Sequence, residues 1–397
     1  MICAGLGQGE TVLSGFMESA DMAATRSCLR ALGAGFRLDG EELTVTGATG
    51  PVRSIPIMDC GESGSTLRFF VPIAMARAGG GIFRMHGRLG QRPMDVYRDL
   101  FVPQGATWRM GIGADGAAEL HVTGRLQAGS YALPGNVSSQ FVSGLLFALP
   151  LLEGDSTLTV QPPVESAGYI RMTLAGLADS GIQVTEEVPF SWRISGGQTY
   201  QSRSGRLQGD YSQAAVLLCA AALGQDITVT GLEEHTTQGD RAILAHLRTL
   251  GAQVDEGSEG IRVTGGALHG AQLDMRNCPD IAPMLALVCQ MAQGESRLTG
   301  CGRLRLKECD RLAATVAMLN RLGGNAREDG DDMVIQGVPS LRGGVTVDAS
   351  GDHRMVMLAS VAGLCCGAPI RVTGAEALNK SWPGYLEVYR QLGGVAE

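Results

Sequence analysis

Residues 310–323, with the sequence DRLAATVAMLNRLG, show the pattern that decides the fold. An Asp opens the segment, apolar residues return every three or four positions, and a Gly follows, as expected for an amphipathic helix with a glycine C-cap. The same pattern recurs along the whole chain. The closing glycines are Gly33, Gly105, Gly181, Gly251, Gly323 and Gly393, with spacings of 72, 76, 70, 72 and 70 residues. The chain therefore consists of six repeats of about seventy residues.

Each repeat contains two further features. A strand pair that ends in Thr-Gly or a similar turn follows most of the closing glycines, as at residues 43–47 and 261–265. A loop with capping side chains then leads into an apolar, Ala-rich helix, as at residues 209–223. One repeat thus reads strand, helix, strand, helix, strand, strand. We predict an α/β protein of two domains, each of three βαβαββ units whose apolar helices pack inward.

The repeat also predicts where the two domains meet in the sequence and that the first and last units are incomplete. The first domain is expected to cover residues 1–207 and the second residues 208–397. The first unit begins at Met1 with what matches only the end of an apolar helix, and the sixth ends at Glu397 without its strand pair. We expect strands before Met1 to complete the last unit normally, so that the chain is truncated at its N-terminus. A divergent but complete protein is the alternative.

Composition narrows the class of protein. With 397 residues, 44 % of them hydrophobic, the chain can bury the cores of about two domains. A net charge of −8 argues against nucleic acid as a partner. The ten Cys form no CxxC pair and are expected to be buried small hydrophobes in a reducing cytosol. No apolar run is long enough for a membrane helix, and the first residues do not show the pattern of a signal peptide, so a cytoplasmic protein without a membrane partner is predicted.

Three polar clusters stand on loops before predicted helices, where backbone N–H groups and the helix dipole favour anions. They are GESGSTLR at residues 61–68 with Arg92 nearby, LPGNVSSQF at residues 133–141, and RLRLKECDR at residues 303–311, which SGDHR at 350–354 and NKSWP at 379–383 join. Ordinary helix caps and a solvated charged face are the structural alternatives. In the third cluster, strand alternation is expected to direct Arg303, Arg305 and Lys307 to one side.

The clusters concentrate cations in an acidic protein, which suits a pocket for small anions. The cations are Arg68, Arg92, Lys307, Arg311, Arg354 and Lys380. Asp280 and Glu308 provide carboxylates for proton transfer beside them. His353 is either a general base or a structural hydrogen-bonding residue at a helix start, and the sequence leaves both open.

Four segments in this order resemble the signature segments of the 5-enolpyruvylshikimate-3-phosphate synthase family. They are Ser138-Ser139-Gln140, the KECDR segment at residues 307–311, Asp352-His353-Arg354-Met355, and Asn379-Lys380-Ser381. The resemblance extends over essentially the whole chain. It implies two domains of three βαβαββ units and the transfer of enolpyruvyl from phosphoenolpyruvate to the 5-hydroxyl of shikimate 3-phosphate. It also implies that neither a metal nor an organic cofactor is needed. We expect a monomer.

The resemblance also assigns roles to individual residues. For shikimate 3-phosphate the implied binding residues are Ser138, Ser139, Gln140, Ser166, Tyr169, Asp280 and Lys307. For phosphoenolpyruvate they are Gly64, Arg92, Gln140, Arg311, Arg354 and Lys380. Asp280 is the candidate base for the hydroxyl, and Glu308 is the candidate acid for the methylene carbon.

The chain departs from the family pattern at three places. The family's opening Pro-Gly-Ser-Lys-Ser and the following Arg are absent, although they normally touch both substrates. Glu62 and Arg303 each stand where the family often has Asn. These departures leave a catalytically impaired remnant as the alternative function.

A second alternative is the sister family that transfers enolpyruvyl to UDP-N-acetylglucosamine. That family usually carries a reactive Cys about five residues before its Arg-Pro pair. Here Gly87 holds that position, and no Cys lies between Cys60 and Cys219. The sequence therefore disfavours the sister activity.

Overall fold

The computed structural model describes residues 1–397, which form two compact units, Met1–Leu207 and Gln208–Glu397. Six small sheets and twelve α-helices make up the two units, three sheets to each. This arrangement confirms the predicted α/β class. No helix in the chain has both the length and the apolar character needed to cross a membrane.

The first unit contains six helices and twelve strands. The helices are α1 Ile2–Leu6, α2 Ala20–Ala31, α3 Gly64–Ala78, α4 Asp95–Phe101, α5 Ser139–Ala148 and α6 Ala167–Asp179. The strands are β1 Glu10–Ser14, β2 Gly35–Asp39, β3 Glu42–Thr46, β4 Ile57–Asp59, β5 Gly80–Met85, β6 Thr107–Ile112, β7 Ala118–Thr123, β8 Ser130–Pro134, β9 Ser156–Gln161, β10 Val184–Val188, β11 Ser191–Ile194 and β12 Gly205–Arg206. The stretches β4–β7 and β8–β11, with their helices, follow the predicted βαβαββ order.

The three sheets of this unit share one pairing scheme. Their strand orders are β12-β1-β3-β2, β4-β5-β7-β6 and β8-β9-β11-β10. The first two strands of each sheet run parallel, and the later pairs are antiparallel, so that Ile82 pairs with Ile57 on one side and with His121 on the other. In the first sheet the parallel neighbour of β1 is β12, from the end of the unit, with Leu13 opposite Gly205.

The second unit contains six helices and nine strands. The helices are α7 Tyr211–Ala222, α8 Ala242–Thr249, α9 Ala282–Met291, α10 Arg311–Arg321, α11 His353–Gly363 and α12 Tyr385–Gln391. The strands are β13 Thr228–Val229, β14 Gln253–Gly257, β15 Gly260–Thr264, β16 Gln272–Asp274, β17 Glu295–Thr299, β18 Asn325–Asp329, β19 Asp332–Gln336, β20 Thr346–Asp348 and β21 Arg371–Thr373. The sheets have the orders β13-β15-β14, β16-β17-β19-β18 and β20-β21.

Apolar helices form the centre of each unit, as predicted. Most residues of α3 and α5 in the first unit, and of α7, α9 and α11 in the second, are buried, because these helices are predominantly apolar. The outer helices are amphipathic. In α10, for example, Leu312, Val316 and Leu319 are buried at helical spacing. The polar residues that begin the inner helices are thus held at the ends of the core helices, and several of them are buried.

Side-chain caps and left-handed glycines fix the ends of the helices. Asp310 accepts a hydrogen bond from Ala313 N at 3.0 Å at the start of α10, and Asp352 accepts one from Arg354 N at 2.8 Å at the start of α11. The six glycines that close the repeats all have positive φ, between 76° and 102°. The capping predicted from the sequence is therefore confirmed.

One local prediction is wrong. Gly302–Leu306 forms a 3-10 helix rather than a strand, because the backbone turns at Gly300 with a φ of 71° after β17 ends. Cys301 N then bonds to Asp331 O at 2.9 Å and fixes the turn. Arg305 consequently pairs with Glu328 at 2.8 Å, away from the partner of Lys307. The strand alternation that would have directed both side chains to one side is absent.

The cysteines are unpaired, and seven of the ten are buried. The three that are partly exposed are Cys3, Cys365 and Cys366. Burial raises the pKa of the Cys289 thiol to about 12. The buried thiols therefore pack as small apolar groups, as predicted from the sequence.

Candidate functional site

Arg311, the first residue of α10, lies at the centre of a charged cluster in the second unit. Its guanidinium donates hydrogen bonds to three carboxylates and is only 1 % exposed. The Arg311 Nη1 to Asp280 Oδ1 distance is 2.7 Å, and Arg311 Nη2 lies 2.7 Å from Glu308 Oε2. Asp352 binds the third edge, with Arg311 Nε at 2.8 Å from its Oδ2. Sequence separation hides part of this arrangement, because Asp280 and Asp352 lie 31 and 41 residues from Arg311 and Asp352 belongs to the next repeat.

Two lysines extend the cluster. Lys307 Nζ lies 2.9 Å from Asp280 Oδ1, and Lys380 Nζ lies 3.8 Å from Glu308 Oε1. Lys307 follows the 3-10 helix, and Lys380 ends a second 3-10 helix, Ala375–Lys380. Each predicted carboxylate is therefore placed between Arg311 and one lysine.

The electrostatic environment sets the charges of these groups. Burial would raise the pKa of Asp280, but the positive charges of Lys307, Arg311 and Arg354 outweigh it and hold that pKa well below its usual range. Burial lowers the pKa of Lys307, although the Asp280 carboxylate opposes this shift. Burial also disfavours the charged form of Arg311, but its three carboxylate partners raise the pKa beyond the ordinary value. Asp280 is thus ionised at neutral pH.

Arg354, in the first turn of α11, is held in a different way. Its Nη1 donates to the backbone oxygen of Ser212 at 2.7 Å, and its Nη2 donates to the Ser212 hydroxyl. Its buried Nε has no hydrogen-bond partner. A buried guanidinium with an unused donor is suited to bind an incoming anion.

His353 is buried beside the same cluster. Burial, together with the positive charge of Arg354, lowers the pKa of His353 to about 4. Its Nδ1 lies 3.7 Å from Asp352 Oδ1. An imidazole with so low a pKa is neutral and a weak base at neutral pH, which favours the structural alternative for this residue.

In the first unit, a hydrogen bond between Arg68 and Gln140 connects the first polar cluster of the sequence, residues 61–68, to the second, residues 133–141. Arg68 Nη1 donates to Gln140 Oε1 at 2.7 Å, and Nη2 donates to Pro93 O at 3.0 Å. The Arg68 guanidinium also stacks on Phe141, with 4.9 Å from Cζ to the ring centre. These contacts tie the start of α5 to the loop that carries Arg92.

The predicted serines lie at helix starts. Ser138 is the N-cap of α5, where its hydroxyl accepts from Gln140 N at 3.3 Å, and Ser139 is buried in the first turn. Ser166 precedes α6 and Tyr169 lies in its first turn. A hydrogen bond of 2.6 Å between Ser143 and Thr173 joins α5 to α6. The two groups of predicted residues therefore stand on packed neighbouring helices.

Gly64 and Arg92 are in close contact. A Cβ atom at Gly64 would lie 2.5 Å from Arg92 Nη1, so a side chain at this position would displace the guanidinium. Glu62, one of the two departures from the family pattern, is exposed and lies over Gly87, where a Cβ would be 2.7 Å from Glu62 Oε2. Arg303, the second of these two departures, lies close enough to Lys307 for its positive charge to help lower the pKa of Lys307.

The structure thus groups the predicted residues by unit. Asp280, Lys307, Glu308, Arg311, Arg354 and Lys380 belong to one charged cluster of the second unit, and Gly64, Arg92, Ser138, Ser139, Gln140, Ser166 and Tyr169 lie at loops and helix starts of the first. Asp352 and Ser212 are contacts that the sequence did not assign. Ser212 was marked in the sequence only by its position in a capping loop, and Asp352 by its place in the third polar cluster and in a signature segment.

The second-unit cluster can bind anions and transfer protons. Its side chains include four cations, Lys307, Arg311, Arg354 and Lys380, against three carboxylates, Asp280, Glu308 and Asp352. An excess of positive charge in a partly buried site stabilises phosphate and carboxylate groups. Carboxylates beside these cations can accept or donate a proton to a bound molecule.

Solved structures with this architecture are enolpyruvyl transferases. An EPSP synthase of Acinetobacter baumannii superposes with a TM-score of 0.78 at 24 % identity, covering 100 % of this chain and 92 % of that one. The enolpyruvyl transferase NikO of Streptomyces tendae gives a TM-score of 0.75 at 19 % identity, with 99 % and 91 % covered. The chain therefore has the enolpyruvyl transferase fold, as predicted.

Sequence relatives define the family more closely. The profile of EPSP synthase (3-phosphoshikimate 1-carboxyvinyltransferase) matches residues 1–389. The 3-phosphoshikimate 1-carboxyvinyltransferase of Clostridium botulinum (strain Eklund 17B / Type B) is 38 % identical over 99 % of this chain and 92 % of its own length. That of Clostridioides difficile (strain 630) is 36 % identical with the same coverage. The chain belongs to the EPSP synthase family, which confirms the resemblance seen in its sequence.

Proposed function

We propose that this protein transfers the enolpyruvyl group of phosphoenolpyruvate to the 5-hydroxyl of shikimate 3-phosphate and releases phosphate, a step of chorismate and aromatic amino-acid biosynthesis. The observation that carries the proposal is the cluster around Arg311, in a chain of the EPSP synthase family. Both substrates are small, multiply charged anions, and the cluster offers buried cations with carboxylates in direct contact.

The anion-binding groups divide by chemistry. Arg311, Arg354 and Lys380 suit the carboxylate and phosphate of phosphoenolpyruvate, together with Arg92 beside Gly64 in the first unit. For shikimate 3-phosphate, Lys307 and Asp280 supply a cation and a hydroxyl acceptor. Hydroxyl and amide groups at helix starts, from Ser138, Ser139, Gln140, Ser166 and Tyr169, supply the remaining hydrogen bonds.

The reaction requires two proton transfers. In the addition step the 5-oxygen attacks C2 of phosphoenolpyruvate, its proton passes to a base, and an acid donates a proton to C3. In the elimination step C3 loses a proton while the C2–O bond to phosphate breaks. We assign Asp280 as the base and Glu308 as the acid, since each lies within 2.7 Å of Arg311, where charge on the substrate would be stabilised.

The pairing of Asp280 with Lys307 bears on its role as base. At 2.9 Å, Lys307 helps to keep Asp280 ionised and so able to accept a hydrogen bond from the hydroxyl. A carboxylate with a depressed pKa has low proton affinity. A substrate phosphate that bound Lys307 would weaken the pair and raise that affinity, so that Asp280 becomes a better base when shikimate 3-phosphate is bound.

The proposal extends to the setting in which the enzyme acts. We infer a monomer that acts in the cytoplasm. The burial of seven unpaired thiols supports a reducing compartment, because such thiols are maintained without a disulfide partner.

The test is an assay of phosphate release with two acceptors. Purified protein is mixed with phosphoenolpyruvate and either shikimate 3-phosphate or UDP-N-acetylglucosamine, and the organic product is identified by mass spectrometry. Phosphate and an enolpyruvyl product that appear only with shikimate 3-phosphate would support the proposal. Turnover only with the UDP-sugar would establish the sister activity, and no turnover with either acceptor would favour the impaired remnant.

A further inference from the structure

Two residues in the first turn of α7 contact the segments that carry two of the proposed phosphoenolpyruvate-binding cations. Ser212 contacts Arg354, and Gln213 contacts Ser381, the residue after Lys380. We infer that Ser212 and Gln213 are positioning residues that fix these cations for phosphoenolpyruvate, an inference that rests on the proposed function.

Ser212 holds the Arg354 guanidinium with two oxygens of one residue. The backbone oxygen accepts from Nη1 at 2.7 Å, and the hydroxyl accepts from Nη2. Both residues are buried. Since the two acceptors are joined through one short side chain, they define the orientation of the guanidinium plane as well as its position.

The acceptors are also uncharged, which distinguishes Arg354 from Arg311. Three carboxylates surround Arg311 and offset its charge within the protein. Both side-chain hydrogen bonds of Arg354 go to neutral oxygens, and its Nε has none. Neutral acceptors orient a cation without cancelling its charge, so Arg354 keeps its attraction for an anionic substrate.

Gln213 makes the corresponding contact on the other segment. Its Nε2 donates to Ser381 O at 3.2 Å, directly after the 3-10 helix that ends at Lys380. Ser381 N bonds in turn to Leu378 O at 3.2 Å. The amide of Gln213 therefore anchors the backbone from which Lys380 projects.

The α7 turn is itself rigid enough to serve this purpose. Asp210 caps the helix, with its Oδ1 accepting from Ser212 N at 2.7 Å and from Gln213 N at 3.3 Å. The helix behind the turn is buried in the core of the unit. One capped turn thus sets the positions of two cations that lie on two separate segments of the chain.

Steady-state kinetics test the inference. Ser212→Ala removes the hydroxyl acceptor but leaves the backbone oxygen, and Gln213→Leu removes the amide at similar size. We expect Ser212→Ala to raise the KM for phosphoenolpyruvate about tenfold and Gln213→Leu about fivefold, as for the loss of one hydrogen bond to a charged or a neutral group. The KM for shikimate 3-phosphate should stay within about twofold, since neither residue contacts the groups assigned to that substrate.

Two comparisons separate positioning from general loosening of the structure. Ser258→Ala and Gln225→Leu alter exposed residues of the same unit and should leave both KM values unchanged. In an Arg354→Ala background, Ser212→Ala should add almost nothing, because its effect passes through the guanidinium. Thermal unfolding shows whether each variant folds, and Gln213→Leu tests the inference independently if Ser212→Ala does not fold.

The outcomes are distinct. A selective rise in the KM for phosphoenolpyruvate, which for Ser212→Ala is absent in the Arg354→Ala background, supports the inference. It is overturned if wild-type protein is active while both variants keep that KM within about twofold, or if both substrates are affected equally. A wild-type protein that releases no phosphate from the two substrates would instead contradict the proposed function.

Discussion

The side chains of Arg311 and Asp352 are joined by two hydrogen bonds, from Nε to Oδ2 at 2.8 Å and from Nη2 to Oδ1 at 3.2 Å. Both side chains are almost wholly buried. The same carboxylate accepts from Arg354 N and caps α11. One buried carboxylate therefore fixes two of the proposed phosphoenolpyruvate ligands, and this coupling connects the stability of the second unit to its proposed chemistry.

Replacing Arg311 should destabilise the protein strongly. In Arg311→Met, three carboxylates lose their shared partner, and breaking a buried pair costs about 3 to 5 kcal/mol of unfolding free energy. The measurement is urea unfolding of wild type and variant. Arg262→Met is the matched control, because Arg262 pairs with Asp226 in solvent and should cost less than about 1 kcal/mol. Equal effects for the two variants would mean that the Arg311 cluster does not carry this energy.

His353 should make stability depend on acid pH. Its pKa in the folded protein is about 4, below the ordinary value of 6.5. As the pH falls below about 6.5, the unfolded chain binds a proton that the folded protein does not, so stability is lost down to about pH 4. The full loss is about 3 kcal/mol. In His353→Gln the unfolding free energy should fall less between about pH 7 and pH 5 than in wild type. Parallel curves for the two proteins would contradict the buried neutral imidazole.

Much of this arrangement is visible in the sequence, but its long-range contacts are not. The six closing glycines and the capping loops predicted the repeat, because helix ends impose local chemistry at fixed spacing. The charged run before α10 was wrongly predicted to be a strand, because the preceding strand ends at Thr299 and the backbone turns at Gly300. The pairing of Arg311 with Asp352 could not be predicted, because 41 residues separate them and each already had a local explanation. The contact between Ser212 and Arg354 could not be predicted for the same reason, because 142 residues separate them and Ser212 was already explained as part of a capping loop.

Replacing Arg354 or Lys380 should weaken the use of phosphoenolpyruvate as a substrate without disrupting the fold. Each of the variants Arg354→Ala and Lys380→Ala removes a cation proposed to bind phosphoenolpyruvate. We therefore expect kcat/KM for phosphoenolpyruvate to fall by an amount equivalent to about 2 to 5 kcal/mol of transition-state stabilisation. Circular dichroism should report an unchanged fold. Unaltered kinetics for either variant would remove that residue from the proposed site.

A side chain at Gly64 should disturb Arg92. In Gly64→Ala the new Cβ would lie 2.5 Å from Arg92 Nη1, so the guanidinium must move, and the KM for phosphoenolpyruvate should rise about tenfold. Gly176→Ala is the control, because no atom lies within 4 Å of a Cβ there and Ala favours the helix. An unchanged KM in Gly64→Ala would show that Arg92 can move without affecting the substrate.

The most direct test of the account is the turnover of Asp280→Asn and Glu308→Gln compared with wild type, measured as phosphate and enolpyruvyl product formed from phosphoenolpyruvate and shikimate 3-phosphate. Both variants keep the size of the side chain and remove its proton-transfer capacity, which typically contributes about 10² to 10⁴ in rate. The account predicts one phosphate per product in wild type, and at least about a hundredfold lower turnover in each variant with substrate dissociation constants little changed. Wild-type turnover in both variants, or no product from the wild-type protein, would contradict it.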